Sequence, residues 1–156
     1  MLFSLLKTLH VLGALLFLGV GLGSAWYKFQ ADRSGDVRVI AWCQRQIVLA
    51  DWLFTVPSAL LLPITGVGMV AIWGMPLTTP WVMSGIVGFS VAGLLWLPAV
   101  WLQLRMRAMA DRALAEGTEL PEAFWRARRW WIALGLPAFA LAAAVVWVMV
   151  SKRAFY

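Results

Sequence analysis

Four long apolar runs constrain this chain more than any other feature of its sequence. They cover about residues 3–27, 47–73, 81–104 and 130–151. Each is long enough to cross roughly 30 Å of hydrocarbon, which takes about 20 helical residues. Backbone groups in lipid must be hydrogen-bonded within the chain, so runs of this kind are helical. The sequence therefore predicts an all-α integral membrane bundle of four transmembrane helices, forming a single domain over residues 1–156.

The composition agrees with this prediction and excludes other classes of protein. The chain is 63% hydrophobic and only 13% charged, whereas a soluble domain carries about 25% charged residues. A net charge of +6 would suggest nucleic acid in a polar protein. Here the charges lie between apolar runs, so we expect a bilayer with an anionic inner leaflet as the partner, and no nucleic acid. The single cysteine, Cys43, excludes an internal disulfide framework.

The basic residues predict the orientation of the four helices. Four of them (Lys28, Arg33, Arg38, Arg45) lie in or beside the first loop, and six (Arg105, Arg107, Arg112, Arg126, Arg128, Arg129) lie in or beside the third. The connection over residues 74–80 has none. The positive-inside rule therefore places both basic loops in the cytoplasm and both termini outside.

The third loop, about residues 105–129, is itself predicted to be helical. Residues 105–115 continue the third span as an amphipathic stretch, Gly117 ends it, and the Thr118 to Glu122 segment begins a new helix. Helices that lie on anionic lipid would explain the charge of this loop. A docking site for a cytoplasmic partner is the alternative.

His10 is the only histidine and the best candidate ligand for a metal or cofactor. It lies about two turns inside the outer end of the first span, on a helical face shared with Lys7, Gly13 and Phe17. A neutral imidazole in lipid needs either a hydrogen-bond partner or a metal. As a haem ligand, His10 would use the small residues of this face to admit a flat ring. A hydrogen-bonded structural histidine is the alternative.

Asp51 is a second polar centre, near the cytoplasmic end of the second span. Thr55 and Ser58, with Thr65 beyond them, share its helical face. Intramembrane carboxylates are costly and usually paired, and the candidate partners on the same side are Arg45, Arg105 and Arg129. The group is either an ion pair that joins two helices or a proton or quinone site. Asp51 and His10 lie near opposite faces of the membrane and cannot form a catalytic pair.

Small residues in the first span suggest helix association. Gly19 and Gly23 are spaced as in close-packed transmembrane helix pairs. This face makes a homodimer, or assembly into a larger membrane complex, a testable expectation.

Several short motifs resemble a bacterial membrane family catalogued as domain of unknown function 2269. They are Lys7-Thr8-Leu9-His10, Asp51-Trp52, Trp96-Leu97-Pro98 with Gln103, and the stretch from Arg129-Trp130 through Gly135 and Pro137 to Lys152. The resemblance covers nearly the whole chain. It implies a multi-pass protein of the bacterial inner (cytoplasmic) membrane.

The pattern is also distantly similar to HemJ-type protoporphyrinogen oxidases and to copper-resistance D-type membrane proteins. The shared features are the Lys7-x-x-His10 start, Trp81 opening the third span and Lys152 closing the fourth. In the HemJ type the first-span histidine is tied to b-type haem, which His10 matches. The lysine that follows the third-span tryptophan in that type has no counterpart after Trp81. The resemblance thus implies binding of haem b or porphyrin through His10 rather than the oxidase activity.

These observations lead to one expected function and two alternatives. We expect a small membrane protein that binds haem b or porphyrin through His10 and has a redox role. The first alternative is an accessory or scaffold subunit of a larger membrane complex, in which His10 and Asp51 are only structural. The second is a quinone- or ion-handling protein built around Asp51. Whether the chain is an enzyme stays open.

Overall fold

The computed structural model describes residues 1–153 and is helical throughout, with no strand in that range. The five α-helices are α1 (Leu2–Ser34), α2 (Val37–Ala50), α3 (Val56–Ile72), α4 (Pro80–Glu116) and α5 (Glu122–Ser151). A π-helical turn, Asp51–Thr55, joins α2 to α3. Over the described residues, four helical stretches are long and apolar enough to cross a membrane, with α2, the π turn and α3 counted as one. The predicted all-α fold with four such helices is confirmed.

The helices run well beyond the predicted spans. At 1.5 Å per residue the 37 residues of α4 measure about 55 Å, against roughly 30 Å of hydrocarbon. The parts of α1, α2, α4 and α5 that extend beyond the predicted spans lie together at one end of the bundle. This end is called here the basic end because it carries residues 28–46 and 105–129. The opposite end holds residues 73–80 and the N-terminus, where the Phe3 and Trp73 rings stack at 5.0 Å.

The helical extensions form a small packed core of their own at the basic end. Ile40 of α2 packs with Met106 and Ala110 of α4 and with Phe124 of α5, and all four are fully buried. The apolar side of residues 105–115 is therefore covered by protein. The idea that these segments lie flat on lipid is wrong, because the side that would enter the lipid faces α2 and α5.

Glycine and aspartate define the tight connection between α1 and α2. Gly35 ends α1 in the left-handed conformation, with φ 68°, which a side chain disfavours. The Asp36 carboxylate then accepts the backbone N–H of Arg38 at 2.8 Å and so caps α2. That hydrogen bond holds the pKa of the Asp36 carboxyl below its usual value. Gly117, with φ 64°, ends α4 as the sequence predicted.

Proline explains the π turn in the second span. Pro57 has no N–H, and its ring crowds the carbonyl four residues earlier in a regular α-helix. In the π turn the backbone N–H of Val56 bonds to the Asp51 carbonyl, five residues back. This wider turn relieves the crowding without breaking the helix, and such turns occur often at functional sites.

The helices associate as two pairs that meet chiefly at the basic end. In the membrane-spanning part α1 packs against α3, and α4 packs against α5, while α2 contacts both α1 and α4. Large apolar side chains on the outside of all spans are exposed, among them Leu15, Leu60, Leu94 and Leu136. Apolar surface of this extent is stable only in lipid or against another protein.

Candidate functional sites in the membrane-spanning helices

His10 is held by polar groups of the neighbouring helix, namely the Thr65 hydroxyl and the backbone of Leu62. Its Nδ1 lies 2.9 Å from Thr65 Oγ1. The Thr65 hydroxyl itself donates to the carbonyls of Leu61 at 2.7 Å and Leu62 at 3.2 Å. When the Thr65 hydroxyl donates to the Leu61 carbonyl, its Oγ1 accepts the Nδ1–H of His10. In that arrangement the lone pair is on Nε2, as in histidines that ligate metals.

The other residues predicted around His10 are not gathered about its imidazole. Lys7 is exposed, and Gly13 is buried against α3, where an added Cβ would lie 3.5 Å from Leu61 Cδ2. Gly66 of α3 meets the ring directly, because an added Cβ there would lie 3.3 Å from His10 Cε1. The glycine that admits the imidazole edge is thus on α3, and the sequence did not single it out.

Phe17 lines a cavity between the two helix pairs. The cavity has a volume of about 380 Å³ and is bounded by Phe17 of α1, Ala59 of α3, and Phe89 and Trp96 of α4. The Phe17 and Phe89 rings are 6.0 Å apart. Phe17 lies two turns along α1 from His10, about 10 Å at 1.5 Å per residue. The cavity walls are almost entirely apolar, which suits a flat or chain-like apolar ligand.

Asp51 is bonded by neutral groups rather than by a cation. Thr55 Oγ1 donates to Asp51 Oδ1 at 2.7 Å, and Gln103 Nε2 of α4 donates to Oδ2. Trp131 Nε1 of α5 in turn donates to Gln103 Oε1 at 3.1 Å. Asp51 thus begins a hydrogen-bonded chain across three spans.

The predicted arginine partner of Asp51 is wrong. Arg45 bonds instead to Asp111 at 2.7 Å, and the guanidinium of Arg105 lies 4.5 Å from the centre of the Trp101 ring. No ion pair among residues 1–153 includes Asp51 or Arg129. Uncharged Gln103 offers a donor at the depth of Asp51, whereas the arginines keep their charges nearer to water.

The polar stripe of the second span is inside the bundle. Asp51, Thr55, Ser58 and Thr65 are all buried, with Thr65 1% exposed. Thr55 forms a hydrogen bond with Asp51, and Thr65 forms one with His10. The second span thus supplies a hydroxyl contact for each polar centre. The two centres remain separate, as their depths in the sequence predicted.

A buried ionic triad at the basic end was missed by the sequence reasoning. Lys28 Nζ lies 3.3 Å from Asp32 Oδ2, and Arg128 Nε lies 2.6 Å from the same oxygen. Lys28 is only 2% exposed, and its ammonium stands 5.2 Å from the Phe124 ring centre and 5.6 Å from that of Trp131. The i,i+4 spacing of Lys28 and Asp32 was a usable signal. It was overlooked because both residues were assigned to a loop.

Trp131 joins the triad to the Asp51 chain. Its indole N–H donates a hydrogen bond to Gln103, while its ring faces the ammonium of Lys28. Polar contacts therefore run from Asp51 through Gln103, Trp131 and Lys28 to Asp32. They tie together all four spans at the basic end.

Gln44 is a buried polar group with an unmatched atom. The residue is 1% exposed, and its Oε1 has no hydrogen-bond partner among the described residues. It follows Cys43, which packs with Ala31 of α1, and lies about one turn from Ala41, which packs with side chains of α4 and α5.

Metal binding by a cluster of protein ligands finds no support in residues 1–153. No group of three or more His, Cys, Asp or Glu side chains there could hold an ion. A metal at His10 would therefore have to bring most of its ligands with it, as haem iron does.

The apolar helices and the buried polar chain that joins them define a multi-pass integral membrane protein. A family model described as "Predicted integral membrane protein (DUF2269)" matches residues 4–153, and the chain belongs to that family. The resemblance found in the sequence is thereby confirmed. No match to this chain was found among curated proteins, and none among solved structures.

Proposed function

We propose that this protein binds haem b or a related porphyrin through His10 and has a redox role in the membrane. The observation that carries the proposal is the hydrogen bond between His10 Nδ1 and Thr65 Oγ1. With the Nδ1–H donated to Thr65, Nε2 would be free to bind the haem iron. The distant similarity of the Lys7-x-x-His10 start to HemJ-type proteins supports the same assignment.

The side chains on and near His10 are chemically suited to bind a haem or porphyrin. His10 would supply the one nitrogen ligand, and Gly66 lets its imidazole ring pack closely against α3. Phe17 and Phe89 line a separate apolar cavity about 10 Å along α1 from His10, so they would contact only the far edge of such a group. Gly13 lies against Leu61 and Leu62, so it contributes to helix packing rather than to an open face. Bound haem would supply one-electron chemistry at its iron, while Thr65 keeps the ligand ring oriented.

The test is the absorbance spectrum of the purified protein from haem-replete cells, oxidised and after reduction with dithionite. We expect a Soret band that sharpens on reduction and is missing from His10→Ala at equal protein yield. Thr65→Val removes the acceptor of the Nδ1 proton, and we expect it to weaken haem affinity by about 10- to 100-fold. Thr8→Val is the matched control, because the Thr8 hydroxyl bonds only to the carbonyl of Ser4. A colourless wild-type protein would refute the proposal.

A scaffold role predicts a different result from the same variants. In an accessory subunit His10 only joins α1 to α3, so His10→Ala would lower stability and change no spectrum. Copurification of the wild-type protein with a fixed set of membrane partners, together with an absent Soret band, would favour this alternative.

One observation favours Asp51 as a proton-carrying group, the second candidate function. Its carboxyl is buried and is bonded only by the neutral donors Thr55 and Gln103. Such a carboxyl can take up a proton without disrupting an ion pair. If Asp51 handles protons or quinone, Asp51→Asn abolishes proton uptake or quinone-dependent electron transfer in membrane vesicles, while His10→Ala does not. If both variants leave the activity intact, Asp51 is structural.

We also propose that the protein lies in a bacterial inner membrane with its basic end in the cytoplasm. The excess of Lys and Arg at this end supports the orientation. Alkaline phosphatase fused after residue 156 should then be active, and green fluorescent protein at the same place should stay dark. The reverse pattern would overturn the orientation.

A further inference from the structure

A cleft lined by three arginines opens between α4 and α5 at the basic end. Its volume is about 400 Å³. Arg105 and Arg112 of α4 and Arg126 of α5 form its charged walls, while Leu102 and Met109 contribute apolar surface. Charged and apolar side chains thus line the same cleft. A wholly polar ligand would make no use of the apolar ones.

None of the three arginines makes an ion pair within residues 1–153, although Glu116 and Glu122 lie one turn from Arg112 and Arg126. Over residues 1–153 the ion pairs of Asp32 and Asp111 are made with other cations, namely Lys28, Arg128, Arg45 and Arg107. The one remaining pair joins Arg38 to Asp36. The cleft therefore concentrates positive charge that an anion could compensate, and guanidinium groups bind phosphate in a bidentate manner.

The position of the cleft relative to the apolar runs identifies the anion. The runs end at about residue 104 on α4 and begin again at about residue 130 on α5, so the cleft lies just beyond the hydrocarbon boundary. Arg112 is seven residues beyond Arg105, about 10 Å farther from that boundary. The headgroup region on each side of a bilayer is roughly 5–8 Å thick. Arg105 and Arg126 are therefore at the depth of the layer that holds lipid phosphates, and Arg112 lies just on its aqueous side.

We propose that this cleft binds the headgroup of an anionic phospholipid. The phosphodiester contacts the three arginines, and the beginning of an acyl chain lies against the apolar side chains of the cleft, continuing along the exposed faces of α4 and α5. Basic pockets between membrane helices are known to hold acidic lipids in this way. A free phosphate would use the arginines but not the apolar surface, so the amphipathic lining favours the lipid.

The experiment is native mass spectrometry of the full chain, purified in a neutral detergent and titrated with phosphatidylglycerol or phosphatidylcholine. The test variant carries Arg105→Gln, Arg112→Gln and Arg126→Gln together. The matched control carries Arg33→Gln, Arg38→Gln and Arg129→Gln, which remove the same charge from the same end of the bundle outside the cleft. Thermal unfolding of each variant checks its fold, and single Arg112→Gln and Arg126→Gln variants replace the triple variant if it does not fold.

We expect phosphatidylglycerol to bind at least about tenfold more tightly than phosphatidylcholine. At about 1 kcal/mol for each arginine near the lipid surface, the triple variant should bind it at least tenfold and up to about a hundredfold more weakly. The control should change the affinity by less than about threefold. Equal losses in the two triple variants would show diffuse charge attraction and overturn the proposal. Displacement of the lipid by excess inorganic phosphate would also overturn it in favour of a soluble anion. Neither outcome changes the absorbance at the Soret band, so failure of lipid binding can be distinguished from failure of haem binding.

Discussion

Replacing Asp32 by asparagine should destabilise the protein more than any other single charge removal at the basic end. Within residues 1–153, Asp32 is the only anion that contacts Lys28 and Arg128, with oxygen–nitrogen distances of 3.3 and 2.6 Å. Asparagine keeps the shape of the side chain and removes its charge. Lys28, 2% exposed, then remains as a buried cation without a counter-charge.

The magnitude follows from the burial of the triad. Removing one partner from a buried ion pair costs about 3–5 kcal/mol, because the other charge stays desolvated. The contacts of the Lys28 ammonium with the Phe124 and Trp131 rings are the same in the wild type and the variant, so they leave this cost unchanged. Arg128, with 23% of its side chain exposed, can turn towards water. We therefore expect Asp32→Asn to lower the free energy of unfolding by about 3 kcal/mol.

The assay is equilibrium unfolding by sodium dodecyl sulfate in mixed micelles, followed by tryptophan fluorescence. Asp111→Asn is the control, because the Arg45–Asp111 pair is partly exposed, with side-chain exposures of 46% and 32%. Its loss should cost less than about 1 kcal/mol. Lys28→Met added to Asp32→Asn should restore part of the stability, since the unpaired cation is then gone.

Two results would refute this reasoning. One is an Asp32→Asn variant within about 1 kcal/mol of the wild type, which would mean that the triad is not desolvated. The other is a double variant less stable than Asp32→Asn alone. Lys28 would then stabilise the fold by packing and not be harmed by loss of its counter-charge.

Three further predictions concern a buried amide, a helix cap and two glycines. Gln44→Met should raise the free energy of unfolding by about 1 kcal/mol, because it removes a buried acceptor without a partner; a loss of stability would contradict this. Because the folded pKa of Asp36 is lowered, its cap stabilises α2 above the unfolded pKa of about 4 and is lost as the pH falls through the folded value. Amide exchange at Arg38 should therefore quicken on acidification relative to Asp36→Asn at each pH, and parallel profiles would contradict it. Gly66→Ala presses on His10 Cε1, whereas nothing lies within 4 Å of a Cβ at Gly19. Thermal unfolding should show Gly66→Ala less stable and Gly19→Ala unchanged or more stable, and equal shifts would exclude the close contact.

Some site residues could be predicted from the sequence because their chemistry is local. His10 and Asp51 stand out in apolar runs, where any ionisable group needs a partner. The stripe of Thr55, Ser58 and Thr65 follows from helical periodicity, and all three are buried. Gly19 and Gly23 have nothing within 4 Å of an added Cβ, so their face is open, and the homodimer stays a prediction.

The partners of those residues were decided by tertiary structure. Arg45, Arg105 and Arg129 were reasonable counter-charges for Asp51 by depth, yet Gln103 occupies that place. Which side chain reaches a given point depends on the rotation of each helix about its axis and on its neighbours. The hydropathy of a segment does not determine this rotation. The packing of Ile40, Met106 and Phe124 at the basic end does determine it.

The sequence by itself determined that this chain crosses a membrane four times as helices, because hydrocarbon leaves the backbone no other way to satisfy its hydrogen bonds. Only the tertiary structure decided that the helices extend past the bilayer into a packed basic end. There Lys28, Asp32 and Arg128 form a buried triad, although each reads as an ordinary loop charge in the sequence. Hydrophobic transfer depends on the composition of a segment and can be read along the chain. Pairing of buried charges depends on distances between helices, which exist only once the bundle has formed.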